Sequence, residues 1–306
     1  MKVLVTGPFG NIGISTLDEL VRQGHRVRCL ARDREENRKT AARYGDKIEV
    51  VWGDIRSPDD VEAAVKDQEA ILHLAFAIPY DESITGTSSE HQPELAEQIN
   101  VGGTANILKA AAGLSSPPKF IFTSSVCVFG VTQDQAPPRT VRDPVAATDH
   151  YTQHKLVCEE MVRASALDWV ILRICASPPV AATALLHIYD LALDNRIEFV
   201  HPKDVGLACA NAVSCKEATG KILLIGGGPR CQLYYRDWVR KALQAFGLEM
   251  LPDESFPAGS YYHQDWADTA ESQRLLKYQQ RTYDDWIKDL KEVLGGGGEA
   301  EREHAD

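Results

Sequence analysis

Apolar residues in the first half of the chain fall into short runs separated by segments of helical period. Lys2 to Thr6 has the length of a buried strand and runs into glycines. Ile14, Leu17, Leu20 and Val21 then recur at the spacing of one helix face, which closes at Gly24. Further strands are predicted over Arg26 to Ala31, Ile48 to Trp52, Ala70 to Phe76, Lys119 to Thr123 and Trp169 to Ile174. Helices are predicted over Asp59 to Asp67, Glu94 to Ala112 and Tyr151 to Ala166. Alternating strands and helices make βαβ units, hence a parallel sheet with right-handed crossovers. After Pro178-Pro179 the pattern loosens. It predicts helices over Ala181 to Leu193, Asp204 to Cys215, Tyr235 to Phe246 and Tyr283 to Val293, with strands at Phe199-Val200 and Ile222 to Ile225. The expectation is an α/β fold: a doubly wound parallel sheet over 1–177, a small mixed substrate lobe over 178–293 and a flexible, glycine-rich then charged tail over 294–306. Ligands of such sheets bind at the carboxyl ends of the strands.

Composition narrows the partners. The 306 residues are 44% apolar and 25% charged, an ordinary globular balance. A net charge of −11 argues against nucleic acid and anionic membranes, since both call for basic surfaces. Seven cysteines with no CxxC pair argue against a disulfide framework or a zinc site and suit a reducing cytoplasm. Val3 to Val5 is too short for the core of a secretory leader, and no apolar stretch reaches the roughly 20 residues of a spanning helix. No metal is expected: His263, Asp265 and Asp268 match no standard ligand spacing. His73 and His201 read as structural. His150 and His154 flank Tyr151, as solvent-facing residues or as a proton relay.

Candidate chemistry begins at Thr6 to Gly13. Gly7, Gly10 and Gly13, with Phe9, Asn11 and Ile12 between them, form a GxxGxxG turn between a strand and a helix. Small residues there let the backbone approach a pyrophosphate, and the helix N-terminus offers free N–H groups. The end of the second strand reads Leu30-Ala31-Arg32-Asp33-Arg34. Ala31 stands where an acid would hold a ribose 2′-hydroxyl, and Arg32 follows. This favours NADP(H) over NAD(H); the alternative gives the ribose to Asp33.

Tyr151 and Lys155 lie four apart on one helix face. A phenol with a pKa near 10 is a poor acid–base at neutral pH. A neighbouring ammonium and a nicotinamide cation would lower that value and make it a usable one. Ser125, at the end of the fifth strand, can polarise a carbonyl against the phenol; Ser124 is the alternative.

With the loop, the serine and the Tyr–Lys pair together, the chain resembles an extended or atypical short-chain dehydrogenase/reductase of the NAD-dependent epimerase/dehydratase family, with a Rossmann-type sheet. The similar segments include Gly53-Asp54-Ile55, His73-Leu74-Ala75, Asn100 to Thr104, Phe120 to Gly130, Leu172-Arg173, Phe199-Val200-His201 and Trp266 to Thr269. The resemblance implies that Asp54 and Ile55 hold the adenine and that Leu74, Ala75 and Ala77 line the pyrophosphate and ribose. Asn100 would position helix and cofactor, Thr123 would lie beside the cofactor, and Ile174 and Cys175 would border the nicotinamide. It makes Ser125, Tyr151 and Lys155 catalytic, with Lys155 also on the ribose. A homodimer through the Tyr151 helix and the preceding long helix is implied as well.

Three departures bear on the substrate. Val126 and Cys127 stand where related dehydratases carry acids. Ile197 replaces the arginine that grips the diphosphate in related nucleotide-sugar epimerases, with Arg196 adjacent. The segment Pro178 to His201, with Ile188, Tyr189 and Leu193 on its rim, is short for a nucleotide-sugar closure. The expected function is hydride transfer between nicotinamide and the carbonyl or alcohol of a small or moderately sized substrate, with Tyr151 as general acid–base. An epimerase acting by transient oxidation and a non-catalytic dinucleotide sensor are the alternatives.

Overall fold

The computed structural model describes residues 1–79, 87–185, 190–259 and 261–300. Seven parallel strands form one sheet: β1 (Lys2–Thr6), β2 (Arg26–Ala31), β3 (Ile48–Trp52), β4 (Ala70–His73), β5 (Lys119–Ser125), β6 (Trp169–Ile174) and β8 (Lys221–Ile225). Their order is β3-β2-β1-β4-β5-β6-β8. The order reverses between β1 and β4, and that switch point is where such sheets bind ligands. The central strands are apolar on both faces because helices cover both.

One face carries α1 (Asn11–Arg22) and α7 (Pro202–Ser214). They pack closely because Gly206 has no side chain: a Cβ there would stand 2.4 Å from the Ser15 carbonyl carbon. The other face carries α3 (Pro58–Val65), α5 (Gly103–Ala112) and α6 (His150–Ala164) around Ile71, Phe120, Phe122 and Cys158. A short α2 (Glu35–Ala42), which the apolar pattern does not predict, buries no residue.

The long helix expected over Glu94 to Ala112 is α4 (Pro93–Glu97) and α5 joined by a π-turn, Gln98–Gly102. The widened turn lies at Asn100, whose carboxamide is bonded to both the N–H and the carbonyl of Ala77.

Beyond β6, an antiparallel pair joins β7 (Arg196–Glu198) to β9 (Gln232–Tyr234). The strand expected at Phe199-Val200 ends just before it, at Glu198; Phe199 forms a bridge to Ala176 and donates its N–H to the Cys231 carbonyl. The helices α8 (Tyr235–Ala245), α9 (Ala270–Leu276) and α10 (Tyr283–Ala300) complete the chain. Phe199, Trp238, Tyr283 and Trp286 form an aromatic core of their own, with Trp238 and Tyr283 stacked at 4.5 Å.

Two expectations change here. Over Ala181 to Leu193 the described residues hold only a short 3₁₀ turn, Ala182–Leu185. The carbonyls of Leu193 and Asn195 instead accept the first N–H groups of α8. Ile188 and Tyr189 lie outside the described residues. The last helix also does not stop at Val293: it continues through the glycines to Ala300, where a tail was anticipated.

Candidate active site

The loop Thr6 to Gly13 is held by close backbone contact. Gly7 has φ +65°, and a Cβ on it would lie 2.7 Å from the Ala75 nitrogen. A Cβ on Gly13 would lie 2.2 Å from the Gly7 oxygen. Gly10 caps α1 without a side-chain hydrogen bond, and the first turn holds no acid. The opening N–H groups of a twelve-residue helix thus face the switch point with no side chain competing for them. Asn11 clasps this loop to the end of β6, its Nδ2 donating to the Ser177 carbonyl at 2.9 Å.

A buried chain of polar groups runs beneath the loop. Thr6 Oγ1 lies 2.7 Å from His73 Nδ1, and His73 Nε2 lies 2.9 Å from Thr104 Oγ1. Thr6 Oγ1 also accepts the Ala75 N–H, and Thr123 Oγ1 donates to the His73 carbonyl. Burial pushes His73 down to about 3, so it serves as a neutral bridge. Leu74, Ala75 and Ala77 are thereby fixed against the loop. Ile12 and Leu74 pack on one face of the sheet.

At the edge of β2 and β3, Trp52 lies between the Phe9 ring at 6.4 Å and the Arg38 guanidinium at 5.0 Å. Asp33 is taken up by Arg38 in a two-point pair of 2.5 and 2.6 Å. Asp54 is likewise held by Arg56, at 2.7 and 3.0 Å, which keeps its carboxyl below the ordinary value. Half-buried Arg32 senses Arg34, Asp54 and Arg56; burial and then Arg34 lower its affinity for its proton. Ile55 is a core residue, wedged where a side chain on Gly103 would otherwise sit.

Ser125, Tyr151 and Lys155 converge at the ends of β5 and α6. The helix starts there because Asp149 caps it in a reciprocal box with Thr152, and the Glu90 carboxylate accepts the N–H groups of His150 and Tyr151. The Ser125 side chain lies near enough to the Tyr151 phenol to favour its ionised form. Ser125 Oγ in turn accepts the Cys127 N–H at 3.1 Å. Lys155 Nζ donates to the Thr123 carbonyl at 2.7 Å and stands 3.4 Å above the centre of the Phe76 ring.

The electrostatics differ from expectation. Burial, then the nearby Cys127 thiol, pushes the Tyr151 phenol up, and the Ser125 hydrogen bond pulls against this. Burial pushes Lys155 down to about 7. The chain by itself therefore keeps Tyr151 protonated: burial of the phenol dominates, and Lys155, itself pushed down by burial, does not offset it. Of the two serines, Ser124 is the one whose Oγ is buried with no partner, as is Ser177 Oγ. Ile174 is half-buried at the end of β6, whereas Cys175 is buried against Gly226.

A cavity of about 280 Å³ opens over Tyr151. Cys127 and Asp149 form part of its floor, and Asp190, Tyr261, Tyr262 and His263 wall it in. Tyr262 and His263 are stacked at 5.8 Å. His263 lies 3.5 Å from Asp149, while Asp265 pairs with Arg196, so the supposed ligand trio faces different partners. Arg196 is fully engaged: it holds Asp265 at 2.7 and 2.9 Å and donates to the carbonyls of Thr132, Gln133 and Gln135. It is not available to replace the missing diphosphate arginine. His150 is exposed, but His154 is buried, with Nδ1 3.2 Å from the Asn100 amide nitrogen.

Phe76, Glu90 and Gln264, which donates to Cys127 Sγ at 3.2 Å, are site residues without a motif of their own in the sequence. Only the Asp149-x-x-Thr152 cap carries a legible local signal.

The parallel sheet, the glycine turn at its switch point and the Ser–Tyr–Lys cluster beside it define a Rossmann-type protein of the short-chain dehydrogenase/reductase kind. The chain belongs to the NAD dependent epimerase/dehydratase family, whose sequence model matches residues 3–177. It is similar to a 3 beta-hydroxysteroid dehydrogenase/Delta 5→4-isomerase of Mycobacterium tuberculosis, 35% identical over 170 residues, 53% of this chain and 42% of that protein. UDP-glucose 4-epimerase 3 of Oryza sativa is 30% identical over 173 residues, 53% of this chain and 44% of that one. The matches thus span under half the length of these two relatives. Among solved structures, a short-chain dehydrogenase/reductase superfamily protein from Agrobacterium tumefaciens with bound NAD superposes with a TM-score of 0.77. It is 21% identical and covers 99% of this chain and 100% of its own. A UDP-glucose-4-epimerase from Stenotrophomonas maltophila with bound NAD and formylated UDP-arabinopyranose gives 0.79 at 20% identity, covering 98% and 99%. Among the described residues no helix is long and apolar enough to cross a membrane.

Proposed function

We propose that the chain is a nicotinamide-dinucleotide-dependent oxidoreductase that interconverts an alcohol and a ketone on a compact substrate. The observation that carries this reading is the convergence of Ser125 and Lys155 on Tyr151, which lines the cavity. The glycine turn and the uncapped N-terminus of α1 fit a pyrophosphate. Gly7, Phe9, Gly10, Asn11, Ile12 and Gly13 would hold it, with Leu74, Ala75 and Ala77 opposite. A bound nicotinamide supplies the two-electron donor or acceptor. Ser125 donates its hydroxyl proton into a hydrogen bond with the substrate oxygen. Tyr151, kept protonated by its burial, would give a proton to that oxygen as the ketone is reduced. Lys155 holds the Thr123 carbonyl and directs its remaining N–H groups toward a ribose.

NADP(H) is the favoured dinucleotide. Arg38 occupies Asp33, which weakens the alternative that Asp33 binds a ribose hydroxyl. Arg32, with Arg34 close by, offers the guanidinium charge a 2′-phosphate requires. The engagement of Arg196 with Asp265 supports a substrate without a nucleotide diphosphate. The 1–177 sheet would then serve the dinucleotide, and the residues after 177 would shape the substrate end.

The test is binding of all four dinucleotides to the purified protein, with any retained dinucleotide identified by mass spectrometry. Tighter NADPH binding and net NADPH consumption with a ketone are expected. A protein that retains NAD and changes a sugar with no net turnover of dinucleotide would instead be an epimerase.

A further inference from the structure

The Asn100 carboxamide has one possible orientation. Its Oδ1 accepts the Ala77 N–H at 2.6 Å, and its Nδ2 donates to the Ala77 carbonyl at 3.1 Å. A single backbone residue thus fixes both ends of the amide. The same Nδ2 stands 3.2 Å from His154 Nδ1. An amide nitrogen can only donate, so the imidazole nitrogen facing it must offer a lone pair. His154 Nδ1 is therefore unprotonated, and the ring carries its proton on Nε2. His154 is 6% exposed, and Asn100 and Ala77 are buried, so the contact is made away from bulk water. Asn100 is also held through its carbonyl, which accepts from Thr104 Oγ1 and Cys158 Sγ within the π-turn region.

We infer that His154 is a positioning residue for the dinucleotide: its neutral imidazole, through Asn100, holds the Ala77 backbone opposite the glycine loop, and protonation of the ring releases that hold. The inference rests on the function proposed above and deepens it. An imidazolium would set an N–H against the Asn100 N–H, with no acceptor between them. The carboxamide would have to turn away, and its two bonds to Ala77 would break with it. Burial is the largest influence on His154 and holds it below its ordinary 6.5. Glu97, at the end of α4, and Glu90 favour the imidazolium. His150, one turn back on α6 with its ring centre 6.3 Å away, disfavours it. The ring is thus neutral at pH 7.5 and takes up a proton on acidification.

The experiment titrates NADP⁺ into the full chain by calorimetry at pH 7.5 and 5.5, for wild type, His154→Leu and His154→Asn. Leucine keeps bulk and offers no acceptor. The asparagine Oδ1 stands where Nδ1 does and accepts at both pH values. At pH 7.5 His154→Leu should bind NADP⁺ about tenfold more weakly than wild type, and His154→Asn within about twofold of it. At pH 5.5 wild type should lose at least about twofold in affinity relative to His154→Asn. Taking that ratio cancels any titration of the dinucleotide itself. The inference is overturned by His154→Leu binding as tightly as wild type, by His154→Asn binding as weakly as His154→Leu, or by a ratio that is the same at both pH values. Absence of NADP⁺ binding to wild type would instead defeat the proposed function. Urea unfolding at pH 7.5 would then still test the clasp: His154→Leu should be the least stable of the three, and equal stability would overturn it.

Discussion

Ser125, Tyr151 and Lys155 come from the end of β5 and the start of α6, two elements tied together by the Lys155–Thr123 bond. The wall above them, Asp190 and Tyr261 to His263, comes from loops some seventy residues apart in sequence. Those loops are joined by the Tyr261–Asp194 bond and by Tyr262 N–H to Asn195 at 2.8 Å. The floor rests on a sheet buried on both faces; the wall rests on a separate aromatic core and on one buried ion pair, Arg196–Asp265. The difference teaches where chemistry and selectivity reside. In the proposed reaction, rigid strand ends would place the proton-handling groups, and loops braced by a few polar contacts would set what reaches them.

The sharpest way to separate the two regions is to remove the brace. Arg196→Ala leaves the almost fully buried Asp265 carboxylate without its main partner and should cost about 3 kcal/mol in urea unfolding. Dinucleotide binding at the glycine loop should survive; its loss would mean that floor and wall are not independent. Ser125→Ala acts on the floor alone and should lower kcat about 100-fold, while loss of the Cys127 N–H bond should cost about 1 kcal/mol of stability.

Next in size is a pH effect. Burial sets Lys155 at about 7 in the folded chain, against an ordinary value of 10.5. Between about pH 7 and 8 the folded state therefore binds fewer protons than the unfolded one. Stability should rise with pH in that window, by at most about 1.4 kcal/mol per unit. Below 7 both states hold the proton and the full burial penalty remains. Above about pH 8 the slope turns down, since several buried thiols such as Cys29 and Cys209, pushed up to about 12, keep protons the unfolded chain releases. Lys155→Met should abolish the rise, as measured by denaturant titrations at several pH values. The smallest effect is Arg32→Ala, which should weaken NADP⁺ about tenfold and leave NAD⁺ nearly unchanged by fluorescence titration.

The floor was largely legible in the sequence because its parts are local. Gly7, Gly10 and Gly13 announce a turn that only a close backbone approach explains, and Tyr151 and Lys155 share a helix face by spacing alone. The wall was not legible. Nothing in the spacing of Gln264, Tyr262 and Cys127 places them together, because loop contacts over more than a hundred residues leave no period to read. Arg196 illustrates the limit of position-matching: it stands beside the expected diphosphate place, yet its guanidinium is spent on Asp265. Of the helix anticipated over Ala181 to Leu193, the described residues keep only the 3₁₀ turn Ala182–Leu185.

The central claim is that Tyr151 moves the proton while the rest of the site binds the dinucleotide without it. Tyr151→Phe removes one oxygen and leaves the ring edge-on to Phe76, 5.8 Å away in the wild type. Turnover of a ketone with NADPH and the NADPH dissociation constant should be measured on the same preparation. The account predicts turnover reduced by at least about 100-fold with the dissociation constant within about twofold of wild type. Turnover close to wild type would contradict it.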